Sequence, residues 1–178
     1  MPDVTSSTPR GRSCGTCALC CKLLRVVALN KPMGQWCPHC LKRGGCGIYT
    51  SRPEECRTFN CGWLTNPEIG DEWQPTRSRM VLQYTIDHGL HKLVVHVDPG
   101  SPLSWKNEPY YSQLKRWARN FEEKDGFITL YVGKRLIVVL PQKDVDLGTF
   151  DLDQSFSYRK WRVASGWEYE FNKVSQHA

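Results

Sequence analysis

All nine cysteines of this chain lie between Cys14 and Cys61, and none of the residues that follow is a cysteine. Much of this stretch, above all residues 35–61, is rich in Gly and Pro and lacks a regular apolar pattern. Apolar burial alone does not offset the entropy of ordering such a segment, so the cysteines must act as cross-links. The odd number of cysteines and the adjacent pair Cys20 and Cys21 favour metal ligation over disulfides, as does a reducing cytosol.

The spacing of the cysteines is typical of metal ligands. A C-x2-C step places two thiolates on one side of a turn, close enough to share a metal ion. The run Cys14-Gly-Thr-Cys17-Ala-Leu-Cys20-Cys21 contains two such steps, and Cys37-Pro-His-Cys40 adds a third. Three further cysteines follow soon after. The predicted metal ligands are therefore Cys14, Cys17, Cys20, Cys21, Cys37, Cys40, Cys46, Cys56 and Cys61.

Eight of these nine cysteines would complete two four-thiolate sites. The side chains of Cys20 and Cys21 diverge, so they can serve two centres, or one of them can bridge two centres. The ninth cysteine is then a non-ligand, a bridge or a reactive thiol. The spacing does not assign cysteines to centres, and it fits zinc and iron, including an iron–sulfur cluster, equally well. His39 is expected to support the ligands or face solvent rather than to bind metal.

Three elements of the stretch, CGTCALCC, CGIYTSRPEEC and TFNCGW, occur in the same order as in a known family. They resemble the CxxCxxCC cysteine-cluster family, described as zinc- or iron-chelating domains, over residues 14–64. The resemblance implies a metal-chelating domain of a mostly bacterial family. A flagellin lysine N-methylase carries a similar module, which implies an iron–sulfur enzyme as an alternative. Methyl transfer is not implied, because the chain has no Gly-rich methyl-donor loop.

The net charge of +6 lies wholly in the first part of the chain. Residues 1–64 contain nine Lys or Arg and three Asp or Glu, whereas residues 65–178 contain fifteen of each. A nucleic-acid-binding zinc module, with Trp36, Tyr49 and Trp63 available to stack on bases, is one interpretation. We favour another, in which the cations, interleaved with the ligands, offset the negative charge of metal-bound thiolates.

The sequence predicts three segments: a disordered N-terminus at 1–13, the cysteine-rich metal-binding module at 14–64 and a body at 65–178. Residues 66–79 are predicted to be a polar linker, and residues 144–153 a solvated acidic loop. The body is predicted to be α+β, with a mainly antiparallel sheet and one clear helix. The predicted elements are strands at 80–86 and 92–97, a helix at 107–125 capped by Asn107, a Gly133-Lys134 hairpin joining strands at 127–132 and 135–140, and two strands beyond Phe156.

No apolar leader precedes the cysteines, and the longest aliphatic run, Leu136–Leu140, is far shorter than the roughly 20 residues of a membrane span. The chain is therefore predicted to be cytoplasmic, with no membrane partner. The common catalytic signatures are absent from the sequence, so no class of enzyme is predicted. The predicted partners are metal ions; an iron–sulfur redox protein or enzyme and a nucleic-acid-binding module are the alternatives, and no protein partner is indicated.

Overall fold

The computed structural model of the chain describes residues 11–87, 90–150 and 154–175. Within these ranges the longest helix has 13 residues, and short helical turns fill much of the first part. The helices are α1 Leu19–Leu23, α2 Glu54–Thr58, α3 Gly62–Thr65, α4 Pro75–Ser78 and α5 Tyr110–Glu122. The strands are β1 Met80–Asp87, β2 Leu90–Val97, β3 Phe127–Val132, β4 Arg135–Val139, β5 Asp144–Thr149, β6 Gln154–Val163 and β7 Gly166–Ser175.

The sheet confirms the predicted fold class. Strands β1 to β5 lie side by side in chain order, and β6 pairs with β7 in a separate hairpin. The pairs β1–β2, β3–β4 and β4–β5 are antiparallel, whereas β2 and β3 are parallel because α5 connects them. Gly133, with a φ of 59°, makes the predicted two-residue turn between β3 and β4. The fold is therefore α+β with a mainly antiparallel sheet.

Helix α5 packs on one face of the sheet through the predicted apolar stripe. Leu114 and Ala118 are buried against the sheet, with Tyr110, Trp117 and Phe121 packed around them. Two details of the prediction are wrong. Asn107 does not cap the helix through its side chain, since Pro109 occupies the N-cap position, and the helix ends three residues before the predicted Asp125.

The segment 66–79 is not a polar linker. Its residue Trp73 is completely buried at the centre of the main core, and its indole Nε1 donates a hydrogen bond of 2.7 Å to Gln113. The Trp73 ring also lies against those of Tyr110 and Trp117, with centroids 5.0 and 4.9 Å apart. The polar composition and two prolines suggested a boundary, but a single large aromatic side chain joins the segment to the core.

Residues 144–149 form strand β5 rather than part of a solvated loop. The acidic side chains have cationic partners on neighbouring elements: Asp144 accepts a hydrogen bond of 2.7 Å from Lys115, and Asp146 accepts one of 2.7 Å from Arg135. These partners come from α5 and β4, so the sequence of the segment alone does not reveal them. The rest of the predicted loop, residues 151–153, lies outside the described residues.

The two faces of the sheet are covered by different parts of the chain. The β6–β7 hairpin, predicted from its alternating pattern, covers the second face at Phe127, Val138 and Leu140. At the edge strand β1, Val81 packs against α1 on the second face, while Leu82 lies in the main core with Trp63. The cysteine-rich stretch therefore packs against both faces of the edge strand β1. In the part of the chain described, no helix is long and apolar enough to cross a membrane.

Candidate metal centre

The structure describes all nine cysteines, and each is a free thiol. Cys14 is exposed, and the other eight are partly buried. They lie on turns, within the short helices α1 and α2, and directly before α3. No disulfide therefore holds this stretch together.

The first turn contains Cys14 and Cys17. The backbone N–H of Cys17 donates a hydrogen bond of 2.7 Å to the carbonyl of Cys14, which closes the C-x2-C step. Helix α1 follows directly, and its Leu19 and Leu23 pack against the sheet with Cys17 beside them. Because one side of α1 faces the sheet, Cys20 and Cys21 lie on the part of the helix that faces the other cysteines.

The second turn contains Cys37 and Cys40. The N–H of Cys37 donates to the carbonyl of Cys21 and that of Cys40 to the carbonyl of Cys37, each over 3.0 Å. A small hairpin then brings Cys46 back opposite Cys40 in an antiparallel bridge. Residues directly opposite in such a pair place their side chains on the same face. The backbone thus gathers Cys21, Cys37, Cys40 and Cys46.

The tip of this hairpin is pressed against the first turn. Gly44 has a φ of +85°, and a Cβ atom at this position would lie 2.0 Å from the carbonyl oxygen of Thr16. Only glycine permits both the left-handed backbone and this close approach. The two cysteine turns are therefore in direct contact through their backbones.

The last two cysteines lie on separate short helices. Cys56 belongs to α2, and Cys61 precedes α3, where its carbonyl accepts a hydrogen bond of 2.8 Å from the N–H of Leu64. Cys61 also packs against the main core beside Trp63. The burial of Trp63 in that core is what fixes the position of Cys61.

The thiols of Cys20 and Cys21 titrate as a pair. The hydrogen bond between them lowers the pKa of Cys21 and raises that of Cys20, since the proton that they share stays on Cys20. The ammonium of Lys31 adds to the lowering of the pKa of Cys21. The lowered pKa of Cys21 favours its thiolate, and ionised thiolate is the form that binds metal.

Burial and neighbouring thiolates act in the opposite direction on four other cysteines. Burial is the largest contribution and raises the pKa values of Cys17, Cys40, Cys56 and Cys61. Negative charge on nearby cysteines raises them further. Clustered thiols of this kind favour a cation that offsets the charge of their ionised forms.

Lys31 is a buried cation that the sequence analysis did not single out. Only 4% of it is exposed, and its Nζ donates to the carbonyls of Lys22, over 3.1 Å, and of Leu24. Burial lowers the pKa of Lys31, but the charges of Cys37 and Cys21 oppose the effect. Both hydrogen-bond acceptors of this ammonium are carbonyls, so the interpretation that basic residues offset thiolate charge stays a prediction.

The two arginines near Cys56 contact side chains other than cysteine. The Arg52 guanidinium lies 3.9 Å from the ring centre of Tyr49, and Arg57 forms an ion pair of 2.9 Å with Glu54.

The carbonyl of His39 accepts a hydrogen bond of 2.8 Å from the N–H of Gly47, which places that histidine in the hairpin. The role of His39 toward metal stays a prediction.

The proposed stacking surface for nucleic acid is incomplete. Trp36 and Tyr49 are more than half exposed, but Trp63 is only 6% exposed and belongs to the main core. The expectation that Trp63 is available to stack on bases is therefore wrong. The local sequence gave no sign of this burial, since it depends on the sheet that forms later in the chain.

Two open grooves adjoin the cysteines. One, of about 360 Å³, is lined by Cys37 and Cys40 together with Trp36 and Arg79, and the other, of about 630 Å³, is lined by Cys14 and Cys17. Within the described ranges, however, no group of three or more His, Cys, Asp or Glu side chains is arranged to hold a metal ion. The thiols are neighbours, but they do not converge on one point.

A comparison with protein-family models finds no match for this chain. Neither the curated proteins nor the solved structures contain a match. The resemblance to the CxxCxxCC family stays a prediction that rests on the cysteine motifs.

Proposed function

We propose that this protein binds zinc or iron through its cysteine cluster. The observation that carries the proposal is that nine free thiols, with three C-x2-C steps, are concentrated in one irregular stretch. Soft thiolate ligands of this kind select Zn²⁺ and iron–sulfur clusters over hard cations such as Mg²⁺.

The backbone of the turns supports the proposal. Two C-x2-C steps, Cys14 to Cys17 and Cys37 to Cys40, are closed by backbone hydrogen bonds of 2.7 and 3.0 Å. Each of these turns holds two thiols on one short loop before any metal arrives. Metal binding would then supply the cross-links that the Gly- and Pro-rich segment lacks.

The choice between zinc and iron gives two different activities. Zinc in closed four-thiolate sites would be structural, whereas an iron–sulfur cluster would add electron transfer. We also propose a cytoplasmic location, since nine thiols persist unpaired only in a reducing compartment.

The test is metal analysis of the full chain purified without oxygen, combined with an absorption spectrum. We expect at least one equivalent of zinc or iron per chain. A colourless protein with stoichiometric zinc identifies the structural role, and visible absorbance that bleaches with dithionite identifies an iron–sulfur cluster. Less than one equivalent of zinc and iron together would contradict the proposal.

Two variants separate specific ligation from adventitious binding. Cys37→Ser with Cys40→Ser removes one complete C-x2-C step, so metal content should fall. Ser51→Ala changes an exposed hydroxyl in the same stretch and should leave metal content unchanged. Equal metal content in both proteins would show that the metal is bound elsewhere.

A further inference from the structure

We propose that Cys40 and Cys46 form a reversible disulfide across the small hairpin when the protein meets a hydroperoxide, and that this bond competes with metal for the same two sulfur atoms. The pairing follows from the backbone and does not depend on the proposed function. The competition with metal rests on the proposed function, so the two parts have separate tests.

The backbone places these two cysteines directly opposite each other in an antiparallel bridge. On one side of the pair, the N–H of Gly47 donates to the carbonyl of His39 over 2.8 Å. On the other side, the N–H of Leu41 donates to the carbonyl of Gly45 over 3.2 Å. The two cysteines between these hydrogen bonds are therefore a non-hydrogen-bonded pair, the kind in which opposite Cα atoms lie about 4.5 Å apart and the side chains are closest.

A disulfide fits the backbone of such a pair. Disulfide-bonded cysteines usually have Cα atoms about 4.4–6.8 Å apart, and the spacing of a non-hydrogen-bonded pair falls within this range. The tip of the hairpin is also held in place, because Gly44 lies directly against the backbone of Thr16. Rotation of the two side chains about their Cα–Cβ bonds is then the movement that brings the sulfur atoms together.

Two other thiols compete for Cys40. The thiol of Cys21 hydrogen-bonds to that of Cys40, but among the described residues no backbone bridge aligns these two cysteines. Cys37 shares a C-x2-C turn with Cys40, and disulfides within such turns in oxidoreductases are reduced more easily than disulfides that cross-link a fold. Because thiol–disulfide exchange connects these alternatives, we expect the bond across the hairpin to accumulate.

The pair lies near the surface of the protein. Cys40 and Cys46 are only partly buried, and the turn between them, formed by Leu41, Lys42 and Arg43, is exposed. A small hydroperoxide therefore reaches this hairpin without any opening of the sheet. Disulfides in a reducing compartment are usually transient and redox-sensing, which agrees with the cytoplasmic location proposed above.

The oxidation is balanced by one hydroperoxide. One thiolate attacks a peroxide oxygen, the O–O bond breaks, and a sulfenic acid forms with release of one molecule of alcohol or water. The second thiol attacks the sulfenic sulfur and displaces water. The two thiols together lose two electrons and two protons, which the hydroperoxide takes up. A dithiol reductant restores both thiols by exchange.

Metal and disulfide exclude each other at this pair. Only a thiolate binds metal, and a sulfur in a disulfide is no longer a thiolate. A thiolate bound to metal is, conversely, not free to attack the peroxide. Bound zinc should therefore slow the oxidation, and the oxidation should release zinc.

The pairing is tested on the full-length wild-type protein as purified, to which hydrogen peroxide is added in steps. The remaining thiols are alkylated, and disulfides are located by mass spectrometry with fragmentation of the linked peptides. We expect a bond between Cys40 and Cys46 that dithiothreitol removes. A bond from Cys40 to Cys21 or Cys37 instead, or no disulfide at Cys40, would overturn the pairing.

Two matched variants test the partner of Cys40. Cys46→Ser removes it, so Cys40 should still be alkylated after peroxide treatment. Cys56→Ser removes another partly buried thiol of the same stretch and should form the bond as the wild type does. Loss of the bond in Cys56→Ser, or a disulfide at Cys40 in Cys46→Ser with the wild-type yield, would contradict the pairing.

The competition with metal is tested by repeating the peroxide titration with zinc-saturated protein and with a chelator present. We expect slower oxidation of the pair in the zinc-saturated protein and release of zinc, reported by a chromogenic chelator, as the bond forms. Equal rates in the two samples of a protein that holds zinc would overturn the competition. Wild-type protein that takes up no zinc and no iron would contradict the proposed function, while the pairing would still be decided by the location of the disulfide.

Discussion

Asp98 is the carboxylate that ties the cysteine-rich stretch to the sheet. Its side chain is completely buried and accepts hydrogen bonds from Lys22 of α1, over 2.5 Å, from Arg79 and from the N–H of Gly100. Burial alone would raise the pKa of Asp98, but these donors outweigh it and lower the pKa below its ordinary value of 3.8. Lys22 lies directly after Cys21, so this contact also positions the thiols of α1.

Replacing Asp98 by Asn should destabilise the protein by about 2–4 kcal/mol at neutral pH, because two cations would lose their buried counter-charge. Urea denaturation would measure the effect. The stability from this lowered pKa begins to be lost as pH falls below about 3.8, so wild type and variant should converge only below the lowered pKa of Asp98. Asp71→Asn is the matched control, because that carboxylate is 73% exposed; an equal loss there would contradict the explanation.

His96 is a buried histidine in the middle of the sheet. Its ring stacks on Tyr131 with centroids 5.8 Å apart, and its Nε2 lies 3.2 Å from Gln83 Oε1. Its Nδ1 has no hydrogen-bond partner among the residues that the structure describes. Burial lowers the pKa of His96 to about 4. The folded protein therefore keeps this ring neutral under conditions in which the unfolded chain protonates it.

This difference predicts acid sensitivity. The unfolded chain binds the extra proton below about pH 6.5, so stability should fall between pH 6.5 and 4 by up to about 3 kcal/mol. His96→Phe keeps an aromatic ring and should flatten this part of the curve in denaturation experiments. His91→Gln, on the same strand but exposed, should leave the slope unchanged. An unaltered slope in His96→Phe would assign the sensitivity to other groups.

Helix α3 and strand β1 approach closely at Gly62. A Cβ atom at Gly62 would lie 2.9 Å from Cβ of Leu82 and 3.1 Å from the ring of Tyr84. This contact fixes the direction in which the chain leaves Cys61 and places Trp63 in the main core. The short helix, of only four residues, is therefore positioned by packing and not by its own stability.

Replacing Gly62 by Ala should push α3 away from β1 and destabilise the protein by about 1–3 kcal/mol. Thermal denaturation followed by tryptophan fluorescence would measure it. Gly100→Ala provides the comparison, since its nearest neighbour would be at 3.4 Å, an ordinary contact distance. If both variants lost the same stability, the cost would come from glycine replacement in general and not from the α3–β1 contact.

The whole molecule is organised around the edge strand β1, with α1 on one face and α3 on the other. Edge strands are open to pairing with other chains, and covering them is a common protection. We expect the stability of the cysteine-rich stretch to be coupled to that of the sheet, because Trp63 of the stretch is buried in the same core as the strands.

Removal of metal with a chelator should therefore lower the melting temperature of the whole chain in one transition, followed both by near-ultraviolet circular dichroism and by light scattering. The physical reason is that Trp63 belongs to the cysteine-rich stretch and is buried in the core of the body. Adding zinc back should restore the original transition. Two separate transitions, with the one of the sheet unaffected by chelator, would show that the parts fold independently.

Much of the fold follows from local patterns. The periodicity of α5, the Gly133-Lys134 turn and the alternation in β6 and β7 each depend on neighbouring residues, and each was predicted correctly. Strand β5 and the buried Trp73 were not predicted, because the partners that stabilise them lie in other parts of the chain.

The presence of the cysteines and their C-x2-C spacing are properties of the local sequence, and they are sufficient to propose metal binding. Where Cys61 lies is a different question, since this cysteine packs against the main core that contains Trp63, and that core forms from residues later in the chain. The Lys22–Asp98 contact has the same origin. The spacing of the cysteines can be read from consecutive residues. Contacts between distant segments form only when the sheet brings those segments together.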